Sequence, residues 1–332
     1  MERKAPIGVL GCGSYLPAER RSNEQVARQA GVSAEWIHSH TGVKSRWAAA
    51  EDEAASDLAL GALRSALAAA EIEADQLGLI ILATSTPDDL GPSTACRVQH
   101  AIKATRAVAL DVAAACSGWL FAARVAHDWL RQDPSIGYAA VIGVEAYSKF
   151  INPADRATAS LFGDGAAATI LGPVPAPYGF GPFTLGSDGG LADVVGIPGG
   201  GSRQPDGDHT IHMKGRIVRD FVVNNLPGII DDALKQHRIT MGDVDHFVTH
   251  QPNPLLLRQV AEKVGIPATR LVVIGEDVGN IGAACIPYAL TQGASQGRFA
   301  QGDLVLIAGF GAGFTWGSTL LTWNTSSAVC ML

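Results

Sequence analysis

The order of strands and helices in this chain occurs twice, and that constrains its fold more than any single motif. Residues 54–70 form an amphipathic helix rich in Ala and Leu, and residues 217–234 answer it. The apolar strand Leu77–Ala83 is answered by residues 244–249, with Ile72 and Leu77 spaced as Ile239 and Val244 are. Ala104-Thr105-Arg106 recurs as Ala268-Thr269-Arg270, each time ahead of an apolar strand. The helix that follows Cys116 is answered by residues 281–290, and the strand at 139–144 by one at 304–308. A period of about 165 residues is too long for a solenoid, so it predicts two copies of one α/β unit sharing a core. The first copy takes residues 1–172 and the second residues 173–332.

The rest of the first copy reads as short elements. Residues 7–10 are a strand closed by Gly11-Cys12-Gly13. Residues 24–30 are a helix capped by Ser22 or Asn23, and residues 36–42 a turn carrying an exposed Trp36. A helix at 92–101 and strands at 108–113 and 168–171 follow. Buried strands alternating with helices predict a parallel sheet covered on both faces. Residues 172–207 are rich in Gly and Pro and read as connections. They are not a flexible linker, because Phe180, Phe183, Leu185, Val194 and Val195 need burial.

Composition narrows the function classes. With 332 residues, 47% of them hydrophobic, and 38 glycines, the chain suits a compact α/β enzyme. A formal net charge of −7 argues against a nucleic-acid binder and leaves an acidic carrier protein only a local basic patch to dock on. No apolar run has membrane-spanning length. The first residues reach Gly, Cys and Pro too early for a secretion signal. Cys12, Cys96, Cys116, Cys285 and Cys330 are odd in number and scattered. That is a reducing, cytoplasmic pattern with no disulfide framework and no metal-binding CxxC.

The duplication also places the chemistry. Ligands of open α/β sheets sit beyond the carboxyl ends of the strands. In the first copy that place is held by Cys116, where an apolar strand passes into a helix whose N-terminus favours a thiolate. Read on its own segment, Cys116 is as much a small buried apolar residue as a nucleophile. In the second copy the equivalent places hold His250 and Asn280. A Cys–His–Asn set serves papain-like proteases or thioester chemistry, and the scaffold disfavours the first. His246 and His250 lie four apart on a strand, where the two imidazoles do not form the metal pair of a helical HxxxH, so no metal site is expected.

The chain resembles the condensing enzymes of the thiolase superfamily, above all the β-ketoacyl-acyl-carrier-protein synthase III group. The motifs that carry the resemblance are Trp36-Ile37 with Thr41-Gly42, residues 111–118, and Gly163-Asp164-Gly165-Ala166. His250-Gln251-Pro252-Asn253, Gly279-Asn280 with Ile286-Pro287, and residues 309–317 follow. It implies an α/β, five-layered α-β-α-β-α fold built from two duplicated units, and a homodimer. It implies coenzyme A or phosphopantetheine thioesters as substrates, with no further cofactor. Cys116, His250 and Asn280 would be catalytic, with an oxyanion hole at the backbone of Cys116 and Ala312. Trp36 and Arg156 would flank the adenine of coenzyme A, and Asn253, Phe162 and Phe310 would join the substrate site. Lys214, Arg216, Arg219 and Arg258 would dock the acyl carrier protein.

The reaction so implied is a decarboxylative Claisen condensation. Cys116 accepts an acyl group from acyl-coenzyme A or a carrier, and malonyl-carrier protein supplies an enolate in fatty acid or polyketide synthesis. Two alternatives share the fold: transfer of the acyl group to an alcohol or amine, and a catalytically silent partner subunit. Five positions depart from the family pattern. Leu255 stands where an arginine used for carrier docking is usual, and His40 where an arginine precedes Thr-Gly. Asn-Thr-Ser becomes Asn280-Ile281-Gly282. Gly91 replaces a phenylalanine that closes the acyl pocket across the dimer, which predicts a starter larger than acetyl.

Overall fold

The computed structural model describes residues 5–324 and, for the backbone, 330–331. Two helices occupy its centre, α5 (Gly118–Gln132) and α10 (Cys285–Ser295). Their apolar residues share one core cluster with the inner faces of two sheets. The first sheet runs β15 (Cys330–Met331), β1 (Ile7–Tyr15), β7 (Gly165–Pro173), β6 (Tyr138–Glu145), β4 (Leu77–Ala83), β5 (Val108–Val112). The second runs β12 (His246–Thr249), β13 (Leu304–Gly311), β14 (Thr315–Thr322), β8 (Gly179–Phe180), with β9 (Thr184–Ser187) also paired to β14. Helices α3 (Ala55–Ala70) and α4 (Thr94–Ile102) cover the outer face of the first sheet. Helices α7 (Gly215–His237) and α8 (Pro254–Val264) cover the second. The order of layers is therefore α-β-α-β-α. Strands covered on both faces lose the in–out alternation of a half-exposed strand, which is why β4 reads LGLIILA without a charge.

The pairing repeats as the sequence does. β4 pairs β6 in parallel and β6 pairs β7 antiparallel; β12 pairs β13 in parallel and β13 pairs β14 antiparallel. The counterpart of β5 shrinks to a single parallel bridge, Phe247 to Leu271. The sheets are thus mixed rather than parallel as expected. After β6 the chain makes its excursion at one end of the sheet and re-enters opposite Glu145 at Gly165, which forces an antiparallel return. A hairpin does the same between Gly311 and Thr315.

Smaller elements frame the site. The antiparallel pair β2 (Glu19–Ser22) and β3 (Ser45–Ala48) carries α1 (Asn23–Ala30), which Ser22 caps in a reciprocal bond with Gln25. Residues 36–42, expected as a turn, are instead the body and C-cap of α2 (Ala34–Thr41). Ser33 accepts the Trp36 N–H at 3.0 Å and Gly42 closes the helix at φ 76°. The pair β10 (Val195–Gly196) and β11 (His212–Met213) and the short helices α6 (Arg156–Ala159) and α9 (Gly275–Val278) complete the fold. β1 runs five residues past its expected end, through Gly11 and Gly13, which approach the backbone of α3 too closely for any Cβ. Cys12 is disulfide-bonded, a correction to the reading of uniformly free thiols; Cys96, Cys116 and Cys285 are free. The side chain of Cys330 lies outside the described residues. Among the described residues no helix is long and apolar enough to cross a membrane.

Candidate active site

A cavity of about 570 Å³ opens where the two halves meet, and Cys116, His250 and Asn280 all line it. Cys116 sits in the 3-10 turn Ala115–Ser117 that leads from β5 into α5. Ala115 is held at φ 47°, a left-handed conformation costly for a residue with a Cβ, immediately before the sulfur. The second half repeats the device: the 3-10 turn Gly282–Ala284 leads into α10, and the two turns pack together. Strand β13 closes the site from the other side. A Cβ on Gly311 would lie 2.8 Å from the backbone nitrogens of Cys116 and Ser117, so only glycine lets that strand come so near.

Each catalytic candidate is fixed by its surroundings. His250 follows β12, its backbone N–H bonded to the Ala308 carbonyl at 3.0 Å and its ring edge-on to Phe310 at 5.1 Å. Burial without a charged partner pushes its pKa down to about 3, so the imidazole is neutral at ordinary pH. With Nδ1 buried and unpartnered among the described residues, Nε2 is the atom left to reach the cavity. The backbone of Asn280 is clamped by Leu161 and Gly163 at 2.8 and 3.1 Å. Its Oδ1 accepts the Gly282 N–H at 2.9 Å and the Cys285 thiol at 3.6 Å, which turns its NH2 end toward the cavity as a donor. Cys116 departs from expectation. It stands at the helix start, but desolvation pushes its thiol well above the ordinary range, so it rests protonated rather than as a ready thiolate.

The other expected residues divide. Asn253, Phe162, Phe310, Ala312 and Arg219 line the cavity. Asn253 is already committed, capping α8 through the Leu256 N–H at 3.0 Å and donating to the His40 carbonyl at 3.2 Å. Trp36 and Arg156 lie outside the cavity lining. The Arg156 guanidinium sits 5.2 Å from the Trp36 ring, and His40, which does line the cavity, stacks on that ring at 4.3 Å. Lys214 and Arg216 are exposed at the start of α7. Arg258 is held by Glu276, which also binds Lys44 at 2.6 Å, so it is less free for docking than expected. Gly91 does not line the cavity of its own chain; it lies on an exposed loop beside Leu90, which is 84% exposed.

Sequence reasoning missed Glu145 and Tyr147. Glu145 ends the apolar run YAAVIGVE with no exposed surface, and Tyr147 lines the cavity with its ring 4.9 Å from Phe162. The signal was present: an acid closing an otherwise uncharged buried strand.

The arrangement, an activatable thiol facing a neutral imidazole and a donating amide, suits acyl transfer followed by stabilisation of an enolate. Comparison with known proteins agrees. Residues 110–189 match the model of 3-oxoacyl-[acyl-carrier-protein] synthase III, and residues 234–323 the model of its C-terminal part. The acetoacetyl CoA synthase NphT7 of Streptomyces sp. (strain CL190) is 43% identical, with 95% of this chain and 98% of that protein covered. The crystal structure of 3-oxoacyl-(acyl carrier protein) synthase III from Pseudomonas aeruginosa PAO1 superposes with a TM-score of 0.91 at 35% identity, covering 97% of this chain and 99% of that one. The priming β-ketosynthase of the R1128 polyketide pathway gives 0.91 at 29% identity, with 98% of each chain covered.

Proposed function

The chain belongs to the 3-oxoacyl-[acyl-carrier-protein] synthase III family, and from that membership we propose the residue roles, partners and substrate preference of this condensing acyltransferase. Cys116 takes the acyl group from a thioester, with the backbone N–H groups of Cys116 and Ala312 as oxyanion donors. His250 and Asn280 then donate to the enolate oxygen that forms when a malonyl thioester loses carbon dioxide. The acyl-enzyme carbonyl carbon receives the enolate carbon, and the Cys116 thiol is released. The observation that carries this reading is the convergence of Cys116, His250 and Asn280, from both halves of the chain, on one cavity.

The active assembly is a homodimer. Strand β5 is an open sheet edge with partly exposed side chains, and the Leu90-Gly91-Pro92 loop exposes Leu90 to 84%; both ask for cover. In that assembly Gly91 stands at the partner's acyl pocket, and a starter larger than acetyl is accepted. The acceptor is malonyl on a carrier protein, docked by Lys214, Arg216 and Arg219. A second reading, a malonyl-coenzyme A acceptor, is favoured by one observation. Leu255 lines the cavity where a docking arginine is expected, and Arg258 is paired with Glu276; the 43% identical relative is named as an acetoacetyl CoA synthase.

Intact-mass measurement after exposure to acetyl-, hexanoyl-, octanoyl- and benzoyl-coenzyme A tests the reading. One adduct is expected, lost in Cys116→Ala and kept in Cys96→Ser and Cys285→Ser. The larger groups should be preferred, and Gly91→Phe should shift preference toward acetyl. An adduct that survives Cys116→Ala removes the proposed nucleophile; unchanged preference in Gly91→Phe removes the proposed gate.

A further inference from the structure

Glu145 ends β6 where the two halves meet, and it has no exposed surface. Its carboxylate gathers donors from both halves. From the loop that follows β4 it accepts the Ser85 N–H at 3.1 Å, the Thr86 hydroxyl at 2.9 Å and the Thr84 hydroxyl at 3.4 Å. From the second half it accepts the Ala283 N–H at 3.3 Å. The Thr86 oxygen in turn accepts the Ala146 N–H at 2.9 Å, which leaves the hydroxyl hydrogen for the carboxylate. A buried acid is costly unless such donors meet it, so the bonds hold the acid as firmly as the acid holds them.

The second-half donor lies next to the group that fixes Asn280. In the turn Gly282–Ala284 the Gly282 N–H is donated to Asn280 Oδ1 at 2.9 Å, and that bond sets which way the amide NH2 points. Glu145 also presses on Gly282 itself. A Cβ there would lie 2.6 Å from Glu145 Cγ and 2.8 Å from its Oε1, and the backbone is held at φ 52°. Gly282 stands where the family pattern has Ser, and without a side chain the turn closes directly on the carboxylate. Ser85 and Asn280 line the cavity, one from each half, whereas Glu145 does not.

We propose that Glu145 is a positioning residue for Asn280. Its carboxylate ties the Ser85 loop of the first half to the Gly282–Ala284 turn of the second. The tie fixes the direction in which the Asn280 amide donates to the enolate oxygen. None of the four bonds reaches the Cys116 turn, so the brace serves the loss of carbon dioxide and not the acylation that precedes it. A small misdirection of one donor is enough to matter, because a hydrogen bond weakens steeply once it is bent.

This inference rests on the proposed role of Asn280, and the experiment separates the two. Cys116 acylation is followed by intact mass, with whichever of acetyl-, hexanoyl-, octanoyl- or benzoyl-coenzyme A acylates the wild-type chain fastest. Carbon dioxide release is followed with whichever of malonyl-coenzyme A and malonyl-carrier protein that chain decarboxylates faster. Glu145→Met, unbranched and without an acceptor oxygen, should lower kcat for carbon dioxide release by about 10²-fold with little change in KM. Acylation should fall far less. Glu145→Gln, whose carbonyl oxygen can still meet the Ala283 N–H, should recover most of the loss.

The double variant is the sharper readout. If Glu145 acts through Asn280, Glu145→Met combined with Asn280→Ala should release carbon dioxide no more slowly than Asn280→Ala alone. A merely structural role would slow both half-reactions in parallel and would add to the loss in Asn280→Ala. Should Glu145→Met not fold, Thr86→Val decides: a smaller loss confined to carbon dioxide release, and none in the Asn280→Ala background. Parallel or additive losses, or wild-type release in a folded variant, overturn the brace. Wild-type release in Asn280→Ala overturns the role of Asn280 and the brace with it; no release by the wild-type chain overturns the decarboxylative reading.

Discussion

Two buried groups in the site titrate in opposite senses, and each leaves a separate mark on stability. Glu145 holds its proton to about pH 7 in the folded chain, against about 4.5 ordinarily. Its contribution is fully present below the unfolded value and is lost as pH rises through the folded one. His250 behaves conversely: its folded pKa of about 3 means stability is present above its ordinary 6.5 and is lost as pH falls. Comparison with Glu145→Gln isolates the first effect. Urea unfolding at a series of pH values should show the variant gaining on the wild type by up to about 3 kcal/mol between pH 4.5 and pH 7, then no further. A pH-independent difference would show that Glu145 is not the group being ionised. Cys116 had been read from its place at a helix start as a thiolate. Burial pushes its thiol up instead, and the sequence does not report how far a side chain ends from solvent.

At the level of elements, much of the fold was legible because burial leaves a periodic trace. β4, β6, α3 and the helices after Cys116 and Asn280 fall within a few residues of their expected places. Strand direction was not legible, since β6 and β7 read alike whether their connection crosses over or doubles back. Helix α2 was missed although Ser33 and Gly42 mark both ends; the polar run His38-Ser39-His40 hid it. The motif around Gly311 was visible, but its reason was not: the end of β13 touches the backbone of the Cys116 turn. Gly311→Ala must therefore displace one or the other. We expect a loss of about 1–3 kcal/mol in urea unfolding, as for other overpacked sites, and about 10²-fold slower Cys116 acylation. Wild-type stability and rate in Gly311→Ala would mean that the strand end has room to move.

Across the whole molecule, the duplication explains why the site is where it is. Each half ends a strand–turn–helix unit at the same interface, and the two turns, Ala115–Ser117 and Gly282–Ala284, face each other. On the proposed roles, one copy keeps the nucleophile there and the other contributes His250 and Asn280, so neither half alone would hold a complete site. That division predicts a division of labour between half-reactions. The most direct measurement follows both in the same proteins: Cys116 acylation by intact mass, and carbon dioxide release from malonyl-coenzyme A or malonyl-carrier protein. His250→Ala and Asn280→Ala should each cut carbon dioxide release by about 10²-fold or more while Cys116 is still acylated. If both variants lose acylation as completely as Cys116→Ala does, or release carbon dioxide at the wild-type rate, the assignment of the two halves to the two steps is contradicted.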